Sequence, residues 1–121
     1  MESGFARLDR DILREHLADG FINHTDHGEH RTRDQELDHQ ESVHTRIPNF
    51  WLRVTHLVGE GDHVAARDEF GGHYHHELPA DPEKGEPFRS TGMLVARFEG
   101  DKIGEIWTHL DRLGMREQIG I

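Results

Sequence analysis

Residues 90–121 read STGMLVARFEGDKIGEIWTHLDRLGMREQIGI, and this stretch decides the fold. An apolar run through Met93, Leu94 and Val95 to Phe98 enters the turn Glu99-Gly100-Asp101. A second strand starts at Lys102, carries Trp107 and ends on Asp111. Two strands joined by a short glycine-containing turn form an antiparallel hairpin. DRLGMREQ follows as a short amphipathic tail. Strand side chains alternate with period two, so Trp107 and Asp111, four residues apart, share one face of the sheet. If that face lines a cavity, Asp111 is an acid or base set against an aromatic wall.

Working outward, further strand-like segments precede the hairpin: FWLRVTHLV (50–58), HVAARDEF (63–70), HYHHEL (73–78) and FRSTGMLVARF (88–98), with KIGEIWTHLD (102–111) as the last. GEGD is a hairpin turn, ADPEKGEP a longer loop, and Gly71-Gly72 marks a bulge or bend in one long strand. Before the strands, Leu8, Ile12, Leu13 and Leu17 form a helical stripe over residues 8–18 that Gly20 stops. FINHTDHGEHRTR reads as a polar loop. Asp34 to Arg46 reads as a weakly amphipathic helix with Leu37 and Val43 as its apolar contacts, ended by Pro48. Phe50 and Trp51 are expected in the core where the sheet begins. Helices first and an antiparallel meander afterwards give an α+β fold, with N-terminal helices packed on a curved antiparallel sheet.

The chain has 121 residues, the size of one domain, and only 33% of them are hydrophobic. So thin a core favours extra burial between subunits. With 14 basic and 24 acidic residues the net charge is -10, which repels phosphate backbones and argues against nucleic-acid binding. There are no cysteines, which excludes disulfides, thiolate zinc sites and a cysteine nucleophile. No stretch approaches the ~20 apolar residues of a membrane span, and the charged N-terminal segment lacks an apolar leader core. A cytoplasmic protein with no membrane partner is expected. Phosphate-binding glycine loops, a nucleophile elbow and a dinucleotide fingerprint are missing as well.

The ordered set of motifs resembles the SnoaL-like polyketide cyclase (ester cyclase) family of the nuclear transport factor 2-like superfamily. DGFINH (19–24) is similar to the family segment leading to a histidine after an early helix, and RIPNF (46–50) to its proline-containing entry into the sheet. GEGDHVAARDEFGGHYH (59–75) resembles its hairpin, with an arginine on the strand. FEGDKIGEIWTHLDRLGMREQIG (98–120) is similar to its ending, with a tryptophan, an aspartate and a Gln-x-Gly in order. The resemblance covers most of the chain and implies a single cone-shaped α+β domain over residues 1–121. Family members carry a longer first helix, where only a stub precedes Leu8 here.

The resemblance implies cofactor-free acid/base chemistry, an aldol-type cyclisation or isomerisation, on a polyketide-like or other apolar carbonyl ligand. Asp111 would then be the general acid/base, its pKa raised by apolar walls such as Trp107. The residues themselves give Asp111 a second role, as N-cap of the tail helix. The family places a polar partner, typically a histidine, near its aspartate, and this chain departs from that pattern with Arg97 at the position on the adjoining strand. His24 matches a family position near the cavity mouth. Arg67, beside Ala65 and Ala66, either points inward to bind an anionic group or pairs with Asp68 or Glu69 on an exposed face. His73 and His109 complete the expected pocket.

Two alternatives stand beside this reading. One is a non-catalytic ligand-binding module of the same fold. The other is a metal enzyme built on His73, His75 and Glu77, which alternate on one strand. These three span about 13 Å, so one ion would need a bulge or a partner such as His24. The leading expectation is no metal, no cofactor, and a homodimer through the outer face of the sheet.

Overall fold

A computed structural model describes residues 9–121. In chain order its elements are α1 (Arg10–His16), β1 (Leu17–Thr25), β2 (His30–Thr32), α2 (Arg33–Arg46), β3 (Trp51–Glu60), β4 (His63–Tyr74), β5 (Glu86–Glu99), β6 (Lys102–Leu110) and α3 (Arg112–Ile119). The strands form one six-stranded sheet in the order β2-β1-β6-β5-β4-β3. All neighbours are antiparallel except β1 and β6, which run parallel. The α+β expectation holds: helices pack on one face of a curved, mostly antiparallel sheet. No helix among the described residues is long and apolar enough to cross a membrane.

The strands from β3 onward lie where the alternation pattern places them, except that HYHHEL (73–78) is extended only through Tyr74 and residues 75–78 form no strand, so His75 and Glu77 do not share a strand face with His73. The first part of the chain differs. α1 ends at His16, because Leu17 is already extended, and Leu17–Thr25 forms a strand inside the sheet. Leu8 lies outside the described residues. The stretch read as a polar loop supplies most of β1 and all of β2. β1 alternates, with Phe21, Asn23 and Thr25 buried, but polar side chains at half of its inward positions hide that period. Gly20 does not stop a helix; it lies where the β1–β6 register shifts, between Leu17 and Ile22.

β4 is one long strand, as expected, without a bulge at its paired glycines. It runs through Gly71-Gly72 in continuous register with β5, and the irregularity falls instead on β3, between Val54 and His56. Gly71 is required by packing: a Cβ there would meet the Phe88 carbonyl oxygen at 2.5 Å and the Trp51 ring at 3.0 Å. Trp51 is half-buried, with the Arg89 guanidinium 5.6 Å above its ring, whereas Phe50 joins the core beside Phe70.

Two apolar clusters form the core. Leu17, Phe21, Ala96, Ile103 and Ile106 form one. Ile47, Phe70, Phe88 and Ile119 form the other. Each fully buried Leu, Ile or Phe stabilises the fold by roughly 1.5–3 kcal/mol. Ile119 brings α3 onto the second cluster, and α3 ends at Gly120, whose left-handed φ of 76° suits a residue without a Cβ. Gln118 fixes α3 to β5 by accepting from Arg89 N and donating to Arg89 O, at 2.8 and 2.7 Å.

Candidate functional site

Between the clusters lies a cavity of about 420 Å³, walled by the inner face of the sheet, by α2 and by α3. The pairing register determines which side chains reach it. Inner rows run Val54-Asp68-Gly92-Leu110 and Ala66-Leu94-Thr108 across the strands. From α2, residues at helical spacing (Glu36, His39, Gln40 and Val43) complete the wall.

Asp68 is the acid in this apolar setting. It is 5% exposed, and its Oδ1 is the one buried side-chain N or O atom without a hydrogen-bond partner among the described residues. Burial pushes the carboxyl above its ordinary range, against smaller downward pulls from the Arg67 charge and the Gly92 amide. Gly92, directly opposite on β5, makes room for it. A Cβ there would sit 2.9 Å from Asp68 Oδ1 and 2.8 Å from Leu110 Cδ2. A glycine inside a strand thus marks the place where a carboxylate needs space.

Asn23, Arg31, Glu36, Gln40 and Thr108 form a buried polar network at another part of the wall. Glu36, 4% exposed, accepts from Arg31 Nε at 2.7 Å and Asn23 Nδ2 at 3.1 Å through Oε2, and from Gln40 at 3.2 Å through Oε1. Thr108 donates to Asn23 Oδ1 at 2.9 Å. Protein atoms crowded around His39 disfavour its charged form, and the Arg31 charge adds to this; Glu36 and Glu29 oppose it. His39 is nevertheless an exposed residue that also lines the cavity.

The site residues expected from sequence sit elsewhere. Asp111 is the exposed N-cap of α3, its Oδ1 accepting from Gly114 N at 2.9 Å, so the capping role is the one the structure displays. Trp107 lies on the outer face of the sheet, and Asp111 follows the end of β6 rather than sharing a strand face with it. The outer rows read Val58-Ala65-Val95-Trp107-His24 and His56-Arg67-Met93-His109. His24 stacks on Trp107 with ring centroids 5.4 Å apart, and its Nε2 meets Glu105 Oε2 at 2.5 Å. Arg97 donates to Glu105 and Glu99, at 3.2 and 3.1 Å. His24 and Arg97 together hold the Glu105 carboxyl below its usual range, the His24 hydrogen bond contributing most.

Arg67 donates to Thr55 Oγ1 at 3.0 Å and lies 3.7 Å from Glu69. His109 is exposed. His73 is exposed too and takes a 2.7 Å hydrogen bond from Asn49 Nδ2. None of these residues lines the cavity. The metal alternative meets a similar obstacle. Both ring nitrogens of His75 face backbone carbonyls, Arg46 O at 3.1 Å and Asp81 O at 2.8 Å. Among the described residues no group of three His, Cys, Asp or Glu is arranged around a common point for a metal ion.

One signal in the sequence did point to Asp68. Val64, Ala66, Asp68 and Phe70 alternate on a single strand face, which makes Asp68 an acid in an otherwise apolar row.

The profile of the SnoaL-like polyketide cyclase family matches residues 1–119. The chain belongs to that family. No curated protein matches it. Among solved structures, IdmH of Streptomyces antibioticus, a proposed polyketide cyclase, is 27% identical with a TM-score of 0.86, over 99% of this chain and 93% of that one. A proposed polyketide cyclase from Bacillus cereus ATCC 10987 is 18% identical with a TM-score of 0.83, over 98% of this chain and 74% of that one. AclR of Streptomyces galilaeus, a proposed hydroxylase, is 17% identical with a TM-score of 0.83, over 98% and 74%. The last two share the fold. Family and fold together support a small-molecule cyclase or isomerase role.

Proposed function

We propose that this SnoaL-like protein performs cofactor-independent acid/base chemistry on an apolar carbonyl compound bound in the cavity, with Asp68 as the acid/base. The observation that carries the proposal is the Asp68 carboxylate, buried, short of a hydrogen-bond partner and raised in pKa within an apolar wall. A carboxylate so placed is a stronger base than one in water, because charge on it is poorly solvated. It removes a proton from a carbon flanked by carbonyls, and the substrate's own carbonyls delocalise the resulting carbanion. In a cyclisation the enolate carbon attacks a second carbonyl of the same molecule and a C–C bond forms. The alkoxide then takes up a proton, which Asp68 supplies as it returns to the carboxylate. In an isomerisation the same proton returns to a different carbon.

The test uses an apolar β-diketone such as 1-phenyl-1,3-butanedione and follows hydrogen–deuterium exchange at its central carbon by NMR. Wild-type protein should accelerate exchange, and Asp68→Asn should lose about 10²-fold or more of that acceleration while still binding the probe. Binding without accelerated exchange in the wild type would instead identify a ligand-binding module.

We also propose that a second copy of the chain covers the outer face of the sheet. The support is the apolar side chains left exposed on two neighbouring rows there, with Val58 at 69%, Met93 at 61% and Val95 at 38%.

A further inference from the structure

The cavity has two chemically different ends, and the polar one has no part in the proton transfer assigned to Asp68. Arg31 pairs across β1 with Asn23, whose row continues through Ile106 and Ala96 to Val64. Asp68 stands four residues further along β4, a displacement of about 13 Å along the strand. A ligand that meets both is therefore extended, with a polar group remote from the carbon on which Asp68 acts.

Arg31 is 8% exposed and held through one edge only. Its Nε is committed to Glu36 at 2.7 Å, and its Nη1 lies 3.8 Å from Glu29, too far for a hydrogen bond. The terminal nitrogens are not among the buried atoms lacking a partner, so they open onto accessible space, and Arg31 lines the cavity. Glu36 accepts from Arg31, Asn23 and Gln40, and the guanidinium cannot turn without breaking its Nε bond to that carboxylate. His39 lies on the same wall and makes no hydrogen bond within the described structure.

The charge around Arg31 sets the kind of group this end accepts. Glu36 and Glu29 face the guanidinium together, so two carboxylates surround one cation. A carboxylate ligand would add a third negative charge. A neutral oxygen brings lone pairs for the spare N–H groups and no charge. We propose that Arg31, fixed by Glu36 and flanked by His39, is a specificity-determining residue that takes a neutral carbonyl oxygen at the far end of an extended apolar substrate and discriminates against a carboxylate there. This rests on the reading of the cavity as the substrate site.

Three matched probes test it: 2-acetylnaphthalene, 2-ethylnaphthalene and 2-naphthoate, titrated calorimetrically into the wild type, Arg31→Met/Glu36→Gln and Asp68→Asn. The paired substitution removes the donors without stranding a buried carboxylate. In the wild type the ketone should bind about 10- to 100-fold more tightly than the hydrocarbon, as for a hydrogen bond from a charged donor, with the naphthoate weaker than the ketone. That preference should vanish in the paired variant with hydrocarbon affinity unchanged, and survive in Asp68→Asn. Should the paired variant fold poorly, the side-chain NMR signals of Arg31 Nε–H and the His39 ring in the wild type replace it. They should shift with the ketone and stay still with the hydrocarbon. Equal affinity for ketone and hydrocarbon, a preference that persists without Arg31, or tightest binding of the naphthoate would overturn the inference alone. Failure of all three probes to bind would overturn the cavity as the substrate site, and this inference with it.

Discussion

Replacing Asp68 with Asn separates stability from function in one protein. The carboxyl is 5% exposed, and its pKa is raised by burial above that of an unfolded chain. The sign follows from proton linkage. Between the unfolded pKa, near 3.9, and the higher folded value, the native state holds more protons than the unfolded state, so stability falls as pH rises through that window. Below the window both states are protonated and no penalty exists. Above it the full penalty of a buried charge is present. An unpartnered buried group costs about 1–3 kcal/mol, and partial hydration from the cavity puts Asp68 at the lower end. Asp68→Asn should therefore be more stable than wild type by about 1–2 kcal/mol at pH 7.5, or about 4 °C in Tm per kcal/mol at 121 residues. At pH 3.5 the two should unfold alike. Urea unfolding at both pH values, followed by tryptophan fluorescence, reads the difference. A gap between wild type and variant that stays the same at both pH values would refute the reasoning, because Asp68 would then carry no desolvation penalty.

Other perturbations follow from the same geometry. Asp111→Ala should lower stability by about 1 kcal/mol through loss of the α3 N-cap, with probe binding unchanged; a loss of exchange activity at full ligand affinity would return Asp111 to the chemistry. Glu36→Leu should destabilise by roughly 3–5 kcal/mol, because it leaves Arg31 buried without its partner, and thermal unfolding measures this. Leu94→Phe fills the cavity from β5 and should abolish 2-ethylnaphthalene binding at a stability change within about 1.5 kcal/mol, and unchanged calorimetric affinity would place the ligand elsewhere. Val95→Glu sets a charge in the exposed apolar row and should shift sedimentation velocity from dimer to monomer; an unaltered sedimentation coefficient would move the interface off this face.

How far the residues reveal the architecture depends on which side chains carry the period. β4 and β5 announce themselves because Leu94-Ala96-Phe98 and, with one break at Asp68, Val64-Ala66-Phe70 place apolar groups at alternate positions beside turn glycines. The α2 helix is recognisable from Leu37, Val43 and the proline that follows it. β1 is hidden because its inward positions include Asn23 and Thr25, which serve a buried polar network rather than an apolar core. Arg31 was hidden with it, since a three-residue strand carries no period to read.

The sequence by itself determined the family, the α+β class and the strand-rich second half, because local alternation and turn chemistry act over a few neighbouring residues. Which face of the sheet encloses the cavity was decided only by tertiary structure. Trp107 and Thr108, or Arg67 and Asp68, are adjacent in the chain and point to opposite sides, so a shift of one residue exchanges an exposed outer residue for the lining of the site. Strand order, the direction of sheet curvature and the position of α2 choose between those sides. All three arise from contacts between residues far apart in sequence, such as Asn23 with Glu36 and Asp68 with Gly92.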